Sequence, residues 1–89
     1  MDKLKQLEQT GMLRIIYYLK KIEKNGVRPS EIQRNVKLSN DSYYTSRNKL
    51  IDMQITQKID DKYSSMSKYG LTKKGKKIAE YIEKIRDLL

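Results

Sequence analysis

The sequence predicts a mainly α-helical domain closed by one small β-hairpin. Three observations lead there. Apolar residues recur at spacings of three and four in several segments, two of these segments are short and nearly contiguous, and an alternating apolar–polar run precedes the last helical stretch. The contiguous pair is the most informative. Pro29 to Val36 opens with Pro at a plausible first helical position and carries Ile32 and Val36 four apart. A short break, Lys37-Leu38-Ser39, leads into Asn40 to Met53, where Tyr43, Leu50 and Met53 fall on one face. Two short helices joined this tightly, the second opened by a Ser cap, have the form of a helix-turn-helix.

The other elements follow in chain order. Residues 1–9 are polar apart from Met1, Leu4 and Leu7, and suit either a short helix or an arm. Thr10 is a fair N-cap for a first helix running to about Lys24, in which Met12, Ile15, Ile16, Leu19 and Ile22 form one core-facing stripe. Asn25-Gly26 should end it, since Gly adopts positive φ without steric cost. A narrower second stripe, Leu13 and Tyr17, is covered either by the C-terminal helix of the same chain or by a dimer partner.

Beyond Met53, Ile55-Thr56-Gln57-Lys58-Ile59 alternates as a half-buried strand should. Asp60 to Ser67 supplies a loop and Lys68 to Leu71 a return strand, making a hairpin over 55–71. Thr72 then caps a helix over 73–89, with Ile78, Tyr81, Ile82, Ile85, Leu88 and Leu89 as an apolar stripe. No internal repeat, low-complexity tract or Pro-rich linker divides the chain, so residues 1–89 are expected to form a single domain.

Composition narrows the function classes. Twenty Lys plus Arg against 11 Asp plus Glu give a net charge of +9, which favours a polyanionic partner. There is no Cys, hence no disulfide framework or thiolate metal site, and no His, which removes imidazole bases and the usual zinc ligands together. No catalytic residues, cofactor or metal are therefore expected. The adjacent pair Asp60-Asp61 lies in an expected turn and is a poor start for an enzyme. No apolar run approaches a membrane span and no signal-peptide core follows Met1, so a cytoplasmic protein is expected. Hydrophobic content is 37% with Trp and Phe absent, and so small a core often gains stability from a second chain. A homodimer is the default expectation.

The helix pair, the hairpin and the run Tyr69-Gly70-Leu71-Thr72-Lys73-Lys74-Gly75 together resemble the winged helix-turn-helix domain of small bacterial and archaeal transcriptional regulators, such as the MarR-like and PadR-like families. The resemblance covers roughly residues 10–89. It implies a double-stranded DNA partner, a second helix that enters the major groove, a hairpin wing against the backbone, and terminal helices that pair across a two-fold axis. The dimer interface would then comprise Leu13, Tyr17, Ile78, Tyr81, Ile82, Ile85, Leu88 and Leu89. Tyr69 would be core. Two positions depart from the family pattern: Lys37 stands where the helix–helix turn often has Gly, and Gln54 where a Gly commonly follows the recognition helix. A non-Gly residue at positive φ costs on the order of 1 kcal/mol, so both turns are expected to be built differently.

Helical geometry lists the readers. Opposite Tyr43, Leu50 and Met53 lie Asp41, Thr45, Asn48 and Asp52, with Tyr44 and Lys49 on the shoulders. Tyr44, Thr45 and Asn48 are the candidate base readers: Asn can pair bidentately with adenine and Thr can touch a thymine methyl. Asp41 either accepts from a cytosine amino group or stabilises the helix N-terminus. Backbone contacts are expected from Ser42, Arg47, Lys49, Lys62, Tyr63, Lys68, Lys73 and Lys74. Between Lys62 and Ala79 stand six Lys and no acidic residue, and four of them open the last helix, where the macrodipole disfavours cations unless phosphates neutralise them. Arg47 is the anomaly. It sits near the core-facing stripe, and either snorkels toward a phosphate or forms an internal ion pair.

The leading expectation is a dimeric, sequence-specific DNA-binding regulator without an arguable small-molecule effector. The rivals are an architectural, partition or replication-associated protein of a plasmid or virus, and a winged-helix module that docks protein.

Overall fold

The helical stripes and the alternating run fold as six elements. The structure, a computed structural model, describes residues 7, 10–22, 26–59 and 67–89. Helix α1 spans Met12–Ile22, α2 Pro29–Val36 and α3 Asn40–Asp52; strands β1 (Thr56–Ile59) and β2 (Lys68–Leu71) form the hairpin, and α4 spans Lys73–Leu88. The expected arm apart from Leu7, the end of the first helix at Lys24, and the wing loop with Lys62 and Tyr63 lie outside the described residues.

Each α1 stripe residue has the expected role: Met12, Ile15, Ile16 and Leu19 are buried, and Ile22 packs against the core from its edge. The start of α1 differs from expectation. Gly11, at φ +93°, precedes the helix and its carbonyl accepts from Ile15 N, so Gly11 takes the cap position instead of Thr10. The Thr10 carbonyl instead accepts from Ser46 Oγ. A Cβ at residue 11 would meet the movable end of the Leu38 side chain, so it is the φ that calls for Gly here.

Pro29 opens α2 as its type predicts, and α2 ends at Lys37. Ser39 caps α3, its side chain accepting from Ser42 N at 3.2 Å. The two departures from the family pattern have a clear outcome. Lys37 sits at φ 55° and Gln54 at φ 61°, both in the left-handed region. The turns are not rebuilt, as the sequence suggested; they keep the geometry that Gly normally serves. Each is held by backbone bonds, Lys37 N to Gln33 O at 3.0 Å and Gln54 N to Ile51 O at 2.9 Å.

The hairpin is antiparallel, with Thr56 opposite Leu71, Gln57 opposite Gly70, Lys58 opposite Tyr69 and Ile59 opposite Lys68. Its base carries an addition that periodicity does not reveal. Val27, in the α1–α2 connection, exchanges both backbone bonds with Tyr69 at 2.8 and 2.9 Å. Burial along β1 does not alternate cleanly, because Thr56 is buried beside Ile55.

Helix α4 returns along α1. Thr72 caps it by accepting from Gly75 N at 2.9 Å, while its single hydroxyl proton is donated to the Gln54 carbonyl at 2.6 Å, with the Ile55 carbonyl next nearest at 3.2 Å. Ala79 is fully buried, and Ile78 and Ile82 pack against the core. The core therefore sits between α1, the inner sides of α2 and α3, the base of the hairpin and the first half of α4.

Candidate nucleic-acid interface

The inner side of α3 is held by Tyr43, Ser46 and Leu50, all fully buried. That anchoring turns Asp41, Tyr44, Thr45, Asn48, Lys49 and Asp52 outward, and all six are exposed. The candidate base readers thus share one solvent-facing side, with Tyr44 at 45% exposure despite its size. A large aromatic left that open, on a helix otherwise polar toward solvent, is suited to stack on or press against a planar ligand. Asp41 lies in the first turn of α3, where a carboxylate also stabilises the helix dipole.

Ser46 was not evident from the sequence. A hydroxyl in the core stripe is unexpected until its partner is seen; the bond from Ser46 Oγ to the Thr10 carbonyl satisfies it and ties α3 to the start of α1.

Arg47 is the anomaly of the sequence, and among the described residues no carboxylate pairs with it. Its guanidinium lies over three tyrosine rings, 4.8 Å from the centroid of Tyr44, 5.1 Å from Tyr69 and 5.8 Å from Tyr43. Nη2 donates to Asn48 Oδ1 at 3.2 Å. Such a site suits Arg because a planar, weakly hydrated cation stacks on π faces. Tyr43 and Tyr44 meet edge-on at 5.2 Å. Burial pushes the Tyr43 hydroxyl above the usual tyrosine pKa, and the Arg47 charge offsets part of that rise. Neither the Tyr43 hydroxyl nor Arg47 Nε completes a hydrogen bond of normal geometry.

The expected backbone contacts spread over more than one surface. Ser42 is half-buried beside the cap, and its amide is used by Ser39. Lys68 is half-buried on β2, while Lys58, not singled out from the sequence, is exposed opposite Tyr69. Strand register, once known, places Lys58 directly across the hairpin from Tyr69.

Lys73 and Lys74 stand at the C-terminal end of α3. Lys74 Nζ donates to the Met53 carbonyl at 2.9 Å. Its charge at the start of α4 is thereby offset by the negative end of α3, without any phosphate. With a rise of roughly 1.5 Å per residue, that end lies about 18 Å along the axis from the first turn of α3. Ile51, Gln54, Thr56, Gln57, Lys58, Thr72 and the two lysines line an open groove there of about 500 Å³.

The dimer candidates divide in two. Ile78 and Ile82 are half-buried against their own core, and Tyr17 is half-buried, with Arg86 stacked on its ring and bonded to its hydroxyl. Leu13, Tyr81, Ile85, Leu88 and Leu89 are exposed. Among the described residues no cluster of His, Cys, Asp or Glu could hold a metal ion, and no helix is long and apolar enough to cross a membrane.

The model of the ArnR1-like winged-helix domain matches residues 2–89. The chain belongs to this family. The ArnR1-like domain takes its place among the small winged helix-turn-helix families that the sequence resembles. Solved structures of similar fold include a candidate HxlR-family transcriptional factor from Thermoplasma volcanium, with TM-score 0.85 at 17% identity, covering 99% of this chain and 78% of that one. Staphylococcus aureus MepR, a transcription regulator of the multidrug efflux pump MepA, superposes with TM-score 0.79 at 20% identity over 96% of this chain and 63% of its own. A MepR variant bound to an oligodeoxyribonucleotide gives TM-score 0.80 at 21% identity, over 96% and 63%. The ArnR1-like chain spans about half of Lactococcus lactis ZitR, 52%, and about two thirds of the MepR chains. No curated protein sequence matches it.

Proposed function

We propose that this ArnR1-like domain is a dimeric, sequence-specific binder of double-stranded DNA that regulates transcription in the cytoplasm. The observation that carries this reading is the outer side of α3. Tyr44, Thr45 and Asn48 are exposed, contribute nothing to the core, and stand on a helix whose other side is fully buried. A helix so mounted fits a major groove, where Asn and Thr can distinguish base edges. The net charge of +9 supplies the non-specific attraction to phosphate. DNA-bound MepR has the same fold, which supports the reading by analogy.

Dimerisation would place two such helices about one helical turn apart on the duplex. The exposed apolar residues Leu13, Tyr81, Ile85, Leu88 and Leu89 support α4 as the seam, since a two-fold contact needs only one self-complementary patch.

The test is selection of a duplex from a random pool by the purified protein, followed by titration of the selected and a scrambled duplex at several salt concentrations. A specific binder enriches one motif, prefers it by 10³-fold or more, and loses affinity on both duplexes as salt rises. Failure to enrich any motif, with equal affinity for both duplexes, refutes sequence-specific recognition.

A further inference from the structure

The Arg47 cluster has a consequence for how α3 reads bases, and that consequence rests on the DNA-binding reading above. We infer that Arg47 is a positioning residue that orients Asn48 and Tyr44 for base contact and ties them to the wing, rather than a phosphate contact.

The chemistry of the Arg47–Asn48 bond carries the inference. An Asn that reads adenine must present Oδ1 to the amino group and Nδ2 to the ring nitrogen. A free carboxamide flips between two orientations, only one of which presents its ends correctly. A guanidinium has donors and no acceptor, so it bonds only the oxygen. The bond from Arg47 Nη2 to Asn48 Oδ1 at 3.2 Å therefore selects one orientation. The carbonyl oxygen has a second lone pair, which stays available to a base.

Three rings hold the guanidinium in place. Tyr44 lies 4.8 Å below it and Tyr43 braces Tyr44 edge-on, so the exposed aromatic reader is packed from behind. Tyr69 stands at 5.1 Å from β2. One cation thus touches two of the candidate readers, Tyr44 and Asn48, and the hairpin. Arg47 Nε is buried without a partner, which shows that the group is turned into the protein at the expense of a solvated donor.

The test uses Arg47→Met, which keeps bulk without charge, and Arg47→Lys, which keeps charge without the planar fork. Both are titrated on the selected and scrambled duplexes over a range of salt. A positioning role predicts at least a tenfold loss on the selected duplex in both variants, with Lys giving no rescue. Affinity for the scrambled duplex and its salt slope stay unchanged for Arg47→Lys. A phosphate role predicts rescue by Lys, and with Met an equal loss on both duplexes and a slope flatter by about 0.9; that result overturns the inference. Nuclear magnetic resonance relaxation of the Asn48 side-chain amide gives a DNA-free readout. It is ordered in the native protein and loosens in both variants, and unchanged order overturns the inference. Should Arg47→Met fail to fold, Arg47→Lys alone decides both measurements. Should the native protein bind no duplex, the DNA-binding reading falls and takes the inference with it. Intact specific binding that both variants retain sinks the inference alone.

Discussion

Gly75 rests against the backbone of Ile55 so closely that a Cβ at residue 75 would lie 2.0 Å from the Ile55 oxygen. This contact is where α4 docks on the turn leaving α3, and the Thr72 amide donates to the same oxygen at 3.0 Å. A backbone atom cannot step aside as a side chain can. Gly75→Ala is therefore expected to lower stability by about 1–3 kcal/mol, the usual range for overpacking. Chemical denaturation measures it, and an unchanged midpoint would show that the two backbones separate freely.

The positive-φ positions give a prediction of the opposite sign. Gln54→Gly relieves a backbone strain of about 1 kcal/mol, set against a comparable entropy loss on folding, so its net effect is close to zero or mildly stabilising. Gln54→Val, β-branched at φ 61°, is expected to cost more than 1 kcal/mol. Thermal melts of both variants, and of the matching pair at Lys37, check the ordering.

Tyr43 links stability to alkaline pH. Burial raises its folded-state pKa above the unfolded value. The neutral phenol therefore contributes stability that is fully present below the unfolded pKa near 10 and is lost as pH rises through the higher folded value. Tyr43→Phe keeps the ring under Arg47 and removes a buried hydroxyl without a completed hydrogen bond. It should leave neutral-pH stability unchanged or raised by about 1 kcal/mol, and should reduce the loss of stability above pH 10. Denaturation midpoints from pH 7 to 11 for both proteins decide it; parallel curves would count against the linkage.

Two double substitutions separate assembly from folding. Ile85→Glu with Leu88→Glu alters exposed residues and should yield a folded monomer in sedimentation experiments. Ile82→Glu with Ile78→Glu strikes side chains packed on their own core and should unfold the chain. A soluble dimer from the first pair would place the seam elsewhere.

The lysines divide in the same way. Lys49→Ala and Lys58→Ala should weaken binding to every duplex, each flattening the salt slope by about 0.9 for a lost phosphate contact. Lys74→Ala should instead reduce stability modestly, since its ammonium serves the Met53 carbonyl. A salt slope that shifts with Lys74 and not with Lys58 would reverse the assignment.

Much of the architecture was legible because it obeys local rules. The α1 stripe from Met12 to Leu19, Pro29 at the start of α2, and the caps Ser39 and Thr72 all stand where periodicity and cap chemistry place them. What escaped was non-local or ran against residue type. Ser46 is polar in a core stripe, and only the Thr10 carbonyl, far away in sequence, explains it. Lys37 and Gln54 occupy conformations that residue type argues against, because tertiary packing outweighs about 1 kcal/mol of strain. The outward face of α3 was legible from angular spacing alone. The role of Arg47 was not, since two of its three rings are helix neighbours but the third comes from β2.

The bridge between Val27 and Tyr69 changes the mechanics of the hairpin. At Tyr69, β2 is flanked on both edges, in register with Lys58 on one side and exchanging both of its own backbone bonds with Val27 on the other. The hairpin thus behaves as a cantilever clamped at Tyr69. A load applied to its outer end bends the arm beyond the clamp, while a displacement of the clamp itself must drag the α1–α2 connection or break two backbone bonds.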